Sequence, residues 1–418
     1  MHNIPEFTRS KLIELIANAD EPLNLRGGDL SKVDLSKLEL KGANFTGANL
    51  AEANLTRVNL TEALLTGSNL TAANLAVAKL TLADLAISDL TNSVLTGADL
   101  TGAKLESSDL TFADLTFADL TGASLKRADL SYVNLTDAKL ENANLTNAKL
   151  ENAKLTNANL IGAILKRANL KNAKLENTNL TNANLKDTNL SSANLTGTNL
   201  TGATLTGVNL TGAYCSNIDL TGAILRGANL SGIFFTRANL SGIVLEDANL
   251  TGAELKDVNL TGANLTGANL TNANLTNADL TRVILTGATL TGATLTGANF
   301  TNASLRLVRL TEANLTGANL SGTDIRNTRL TEADIRNAIL TGANLSGANL
   351  SGANLIGAKL TGANLSGANL SLTDLTRANL EGANLEGANL TLTDLTDSNL
   401  IDTKLKNATL TDVKGYNP

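Results

Sequence analysis

Ala263-Asn264-Leu265-Thr266-Gly267 is one copy of a five-residue unit whose leucine recurs at every fifth position from Leu25 to Leu410 without a slip of register. Across those 78 units only Phe45, Cys215, Phe235, Phe300, Ile325 and Ile335 stand in for the central leucine. A period of five fits neither the 3.6 of a helix nor the 2 of a strand, so each unit turns a corner while aiming one side chain at a common axis. The expectation is an all-β solenoid.

Within the unit, leucine and the small residue two places before it point inward, because only a methyl-sized group fits beside stacked leucines. The Asn or Asp before the leucine and the two residues after it point outward. Of the 34 glycines, 32 fall two places after the centre, as a corner that often needs positive φ requires. Residues such as Asn147 and Arg127 at the same place imply that the requirement is not absolute. Arg309-Leu310-Thr311-Glu312-Ala313 returns as Arg329-Leu330-Thr331-Glu332-Ala333, twenty residues on, and Leu372-Thr373-Asp374-Leu375-Thr376 returns at Leu392 with the same offset. Four units therefore make one coil of 20 residues. At a strand spacing of roughly 4.8 Å this predicts a straight, stiff rod about 90 Å long.

Residues 1–22 lie outside the array, and Leu12, Ile13, Leu15, Ile16 and Ala19 mark the apolar face of a short helix starting near Thr8 or Ser10. Its expected role is to cap the first coil, whose bare cross-section and unpaired backbone would otherwise invite stacking. The array runs over 23–412, and 413–418 form a tail. The far end, with no comparable helix, is a candidate self-association surface.

Aromatic content of 2% with no Trp does not signal disorder here, since 43% hydrophobic residues are strictly phased. A net charge of −6, from 39 acidic and 33 basic side chains, supplies no field that favours nucleic acid. Cys215 sits at a repeat centre and reads as a small buried hydrophobe, not a nucleophile. Neither a secretory leader nor an apolar run of membrane-spanning length occurs, so a cytoplasmic protein is expected. His2 is the lone histidine, no metal-ligand spacing is present, and Gly27-Gly28 lacks the lysine of a phosphate loop. A packed solenoid without insertions also offers no pocket for converging catalytic groups, so no enzymatic activity, cofactor or metal is expected.

Departures from the consensus are the candidate sites. Residues 81–120 carry seven acids against Lys104, whereas 121–190 are net basic. At twenty per coil, Asp89, Asp109 and Asp129 stack as a carboxylate column with Phe112, Phe117 and Tyr132 projecting nearby, a candidate protein-binding patch. Tyr214, Phe234, Ile224 and Val244 form a second exposed apolar zone. The basic band, with Glu141, Glu151 and Glu176 interspersed, is a weak nucleic-acid candidate. Outward threonines at coil spacing, among them Thr251, Thr271, Thr291, Thr311 and Thr331, form a hydroxyl lattice of the kind an ice-binding surface uses.

The uninterrupted Ala-(Asn/Asp)-Leu-x-x units over 23–412 resemble the pentapeptide-repeat family, particularly its cyanobacterial members with small N-terminal helical caps. The resemblance implies a right-handed, four-sided β-helix. It also implies action by binding other proteins. One branch of the family protects or inhibits DNA gyrase as a dimeric mimic of DNA, and others influence cyanobacterial differentiation. This sequence departs from the gyrase-binding branch: outward Asn dominates over Asp, no helix-length segment follows Leu410, and loop insertions are lacking. The reading is a rigid, non-enzymatic scaffold for protein–protein interaction with a regulatory role, with DNA mimicry toward gyrase or another topoisomerase as the alternative.

Overall fold

The computed structural model describes residues 7–235 and 238–416 and divides into two compact units, Met1–Asn209 and Leu210–Pro418. Each unit is a four-sided β-helix. Every outward Asn-type position pairs in parallel with the residue twenty further on: Asn24, Asp29, Asp34 and Glu39 pair with Asn44, Asn49, Asn54 and Asn59, and the four columns continue through the unit. The second unit repeats this from the pair Tyr214 and Phe234 to the pair Asp394 and Lys414.

The five backbone N–H groups of one unit explain the consensus. Leu50 donates to the Asn69 carbonyl at 2.7 Å, Asn69 returns to Ala48 at 2.9 Å, and Glu52 donates to Thr71 at 2.9 Å, all between neighbouring coils. Ala53 closes the corner by donating to Leu50 at 3.1 Å. That leaves the residue just after the leucine without a backbone partner. The Asn or Asp two places earlier supplies one: Thr71 N donates to Asn69 Oδ1 at 3.0 Å, and Thr271 N to Asn269 Oδ1 at 3.1 Å. A buried donor left open would cost about 1–3 kcal/mol, which is why a short side-chain oxygen occupies this position. We call these positions the ladder.

Each corner is a four-residue turn closed by the leucine carbonyl, with positive φ at its third residue only, the type II pattern. The requirement proves stricter than the sequence implied. Every described corner from Gly27 to Asp412 is left-handed, with φ between 52° and 71°, whatever residue occupies it. Gly162 (φ 66°) shows a second reason for glycine, because a Cβ there would sit 2.6 Å from Asn142 Oδ1 one coil earlier.

Central leucines are buried in both units as far as Leu395, as are the alanines two places before them, while Leu400, Leu405 and Leu410 of the last coil are half-buried. Where Thr replaces that alanine, its hydroxyl finds a leucine carbonyl: that of the previous coil for Thr178, which bonds Leu155 at 2.9 Å, and that of its own corner for Thr323, which bonds Leu320. Cys215 is buried, and burial pushes its thiol far above the usual range. The helix α1 spans Arg9–Ala17, is capped by Thr8, and is tied to the first coils by Arg9, which donates to the Asp34 and Ser36 carbonyls at 3.0 and 2.9 Å. Its expected apolar face is only partly used. Leu12 is buried and Ile16 half-buried, while Ile13, Leu15 and Ala19 are exposed. Residues four apart share one helix face, and Ile13 and Leu15 diverge from it.

Candidate interaction surface

Asp89, Asp109 and Asp129 are consecutive rungs of one ladder column in the first unit. Each carboxylate is turned onto its own corner: Asp89 Oδ1 accepts from Thr91 N at 2.9 Å, and Asp109 Oδ1 accepts from Thr111 N and Oγ1. Partial burial would raise the Asp89 and Asp129 carboxyls, but hydrogen bonds from Thr91 and Thr71, and from Ser131 and Lys149, outweigh it and hold both below the ordinary value. Lys149, the next rung, closes the column with an ion pair to Asp129 at 3.0 Å.

Phe112 and Tyr132 occupy the corner that follows this aspartate face, one coil apart, with ring centroids 4.9 Å apart and planes at 16°. They are 55% and 51% exposed, so the stack is presented outward. Phe117, 63% exposed, lies at the next corner, and between the two corners runs the face of Val94, Asp114 and Asn134. The structure therefore brings the aspartates and the Phe112–Tyr132 stack together and sets Phe117 across one further face.

The second apolar zone divides. Tyr214 pairs with Phe234 and Ile224 with Val244, but the two columns are ten residues apart, which is half a coil, so they occupy opposite faces of the square. They do not form one patch. The acidic stretch 81–120 likewise wraps all four faces, and its boundary with the basic band is sewn by coil-to-coil pairs, Asp119 with Lys139 at 3.6 Å and Asp129 with Lys149.

Val77, Leu82 and Ile87 were not singled out by the sequence reading. All three are exposed at left-handed corners, a conformation that disfavours L side chains and β-branched ones most. The signal was present: apolar residues stand where glycine or asparagine is the rule.

Among the described residues no group of three or more His, Cys, Asp and Glu side chains lies close enough to hold a metal ion. An open groove of about 230 Å³ lies between Ile16–Leu23 and Glu39–Lys41. His2 lies outside the described residues. Among those residues no helix is long and apolar enough to cross a membrane.

The sequence profile of pentapeptide repeats matches the chain in overlapping segments from residue 23 to residue 412. The chain belongs to the pentapeptide-repeat family. Both units are accordingly right-handed quadrilateral β-helices of a protein-binding scaffold class. Among solved structures it is similar to HetL, a pentapeptide repeat protein involved in heterocyst differentiation regulation from the cyanobacterium Nostoc sp. PCC 7120, at 34% identity over 63% of this chain and 89% of that one (TM-score 0.22). A pentapeptide repeat protein of the Arabidopsis thaliana thylakoid lumen is 37% identical over 23% of this chain and 64% of that one (TM-score 0.19). QnrB1, a plasmid-mediated fluoroquinolone resistance protein, is 22% identical over 39% of this chain and 93% of that one (TM-score 0.20). No curated protein matches the chain.

Proposed function

We propose that this protein is a cytoplasmic, non-enzymatic scaffold with a regulatory binding role, and that it docks a partner protein on the Phe112–Tyr132 corner and the adjoining aspartate ladder. The stacked, outward rings carry this reading. Two aromatic side chains held at left-handed corners present a rigid anchor with little conformational entropy to lose, and Asp109 beside them adds orientation. Phe117, with Val94 between, extends the apolar area over the next face.

The alternatives fare worse on specific observations. An ice-binding lattice needs a regular row of free hydroxyls, yet two of the five in this row, Thr251 and Thr271, donate theirs to Asn249 and Asn269 at 2.7 and 2.6 Å. DNA mimicry needs an unbroken acidic surface, whereas Lys139 and Lys149 end the acidic columns. A topoisomerase supercoiling assay tests that alternative directly.

The docking surface is tested by affinity capture with wild type and with Asp109→Lys/Phe112→Ala/Tyr132→Ala, with circular dichroism confirming equal folding. Loss of a specific partner from the variant is the expected result. Capture of the same proteins by both refutes the proposed surface.

A further inference from the structure

Four of the eleven cations at ladder positions lie one coil after a carboxylate. Lys104, Lys139, Lys149 and Lys414 follow Asp84, Asp119, Asp129 and Asp394 at 4.0, 3.6, 3.0 and 2.7 Å. Two columns instead set like charges in direct register, Lys154 on Lys174 in the first unit and Arg309 on Arg329 in the second. Among the described residues Arg309 and Arg329 make no ion pair, although Arg326 and Arg336 nearby are clamped by Asp324 and Asp334 at 2.7 and 2.5 Å. Replacing the usual Asn by Arg also strips Thr311 and Thr331 of the side-chain acceptor that Asn269 gives Thr271. Both changes are unfavourable for the isolated unit: stacked like charges repel, and two backbone donors lose their caps.

A complementary ladder exists on this same chain. Asp109 and Asp129 lie one coil apart in the first unit, as Arg309 and Arg329 do in the second, and the shared backbone ladder gives both the same pitch. The corners bordering the two faces match as well. When two such faces pack with coil axes parallel, the corner following one meets the corner preceding the other. Phe112 then meets Leu307, which is 57% exposed, while Arg127, at a corner before the aspartate face, meets Glu332 after the arginine face. The Lys154–Lys174 face has only Asn152, Asn172, Asn157 and Asn177 at its corners and offers no apolar match.

We infer that the partner of the aspartate ladder is a second copy of this chain, which presents its Arg309–Arg329 ladder. This rests on the proposed docking surface and names its occupant. The contact joins unlike surfaces, so each copy carries both halves and association is open-ended unless its rotation closes a ring. Two to four coils of one face bury far less than the roughly 1,000 Å² of a stable interface, so the contact is weak and salt-sensitive.

Sedimentation velocity of the full chain from about 10 μM to about 1 mM, the range suited to a weak contact, tests it. At low salt, about 20 mM, the weight-average sedimentation coefficient rises with concentration past any dimer value, and it falls back at about 500 mM salt. Asp109→Arg/Asp129→Arg and Arg309→Asp/Arg329→Asp each weaken association by about tenfold or more. An equimolar mixture of the two variants restores it, because each reversed ladder then finds an opposite one. Both cations and carboxylates already occupy ladder positions, and circular dichroism verifies that the variants fold. Wild type that stays monomeric throughout, or a mixture that fails to recover, overturns the inference. If wild type is monomeric while the Asp109/Phe112/Tyr132 variant still loses a captured protein, only the identity of the partner falls. If neither effect is seen, the docking surface falls with it.

Discussion

Val77→Asn separates backbone cost from surface function. Val77 is held at φ 56° and is 52% exposed, with its Cγ2 3.9 Å from the point a Cβ on Gly97 would occupy, one coil above. A left-handed L residue costs roughly 1–2 kcal/mol, and a β-branched one lies toward the upper end. Its half-buried side chain returns about 0.7–1.5 kcal/mol of that. Asparagine tolerates the conformation, and beside Gly97 it reproduces the pairing of Asn142 with Gly162. The net expectation is a gain of about 1 kcal/mol, which slows opening-limited amide exchange about fivefold. Hydrogen-exchange mass spectrometry on peptides covering residues 65–100 is the suitable assay, because a repeat protein need not unfold in one step. Exchange that is unchanged or faster shows that the left-handed corners are not strained by bulky residues, and the argument from corner composition then fails.

Ser68 and Ser93 place buried hydroxyls at inward positions without a hydrogen-bond partner, so Ser68→Ala and Ser93→Ala should each stabilise by up to about 1 kcal/mol in the same exchange assay. Thr178→Ala, which loses a satisfied bond, should destabilise by a similar amount, and equal signs for the serine and threonine changes refute the distinction. The Asp394 carboxyl, lowered by hydrogen bonds from Lys414 and Thr396, titrates at about 2. A carboxyl depressed on folding contributes stability that is complete above its unfolded value near 4 and disappears as pH falls through about 2. Carbon-detected NMR titration should show this, with Lys414→Ala moving the midpoint upward; an unmoved midpoint removes Lys414 as the cause. Finally, Gly162→Ala should cost at least about 1 kcal/mol more in wild type than beside Asn142→Ala, since the clash with Asn142 Oδ1 is then absent. Additive effects in that double-mutant cycle exclude the contact.

The interior was legible because it repeats. Leucine spacing alone gives the length of one side, and Arg309 with Arg329 gives the 20-residue, four-sided coil that the parallel pairs display. The role of ladder asparagine was not legible, since a polar residue beside a buried one reads simply as outward, and its bond to the N–H two places on appears only with coordinates. Glycine frequency suggested a permissive corner for a related reason: composition reports which residues are favoured, not which angle is imposed. At the candidate site, twenty-residue arithmetic correctly aligned Asp89, Asp109 and Asp129 and stacked Phe112 beneath Tyr132. The same arithmetic paired Tyr214 with Phe234 and Ile224 with Val244, but joining the two pairs into one zone overlooked their ten-residue separation, which carries them to opposite faces.

In a molecule whose every coil solves the same folding problem the same way, a recognition surface can be distinguished only by deviations, and deviations matter in proportion to their cost. A ladder asparagine or corner glycine is close to the local optimum. Val77, Leu82, Ile87, Phe112, Phe117 and Tyr132 are six apolar left-handed corners in one stretch of the first unit, whereas the described corners of the second unit hold only Leu307, Leu372 and Leu392. At roughly 1–2 kcal/mol each, the six amount to about 6–12 kcal/mol of backbone strain, before any packing gain. That is comparable to the whole net stability of an ordinary domain, about 5–15 kcal/mol. A scaffold needing only solubility would place glycine, asparagine or charge at these corners, as most of the second unit does. Strain concentrated where exposed apolar area is also greatest points to a surface kept for contact, and three of those corners, Phe112, Phe117 and Tyr132, lie beside the aspartate ladder or across one face from it.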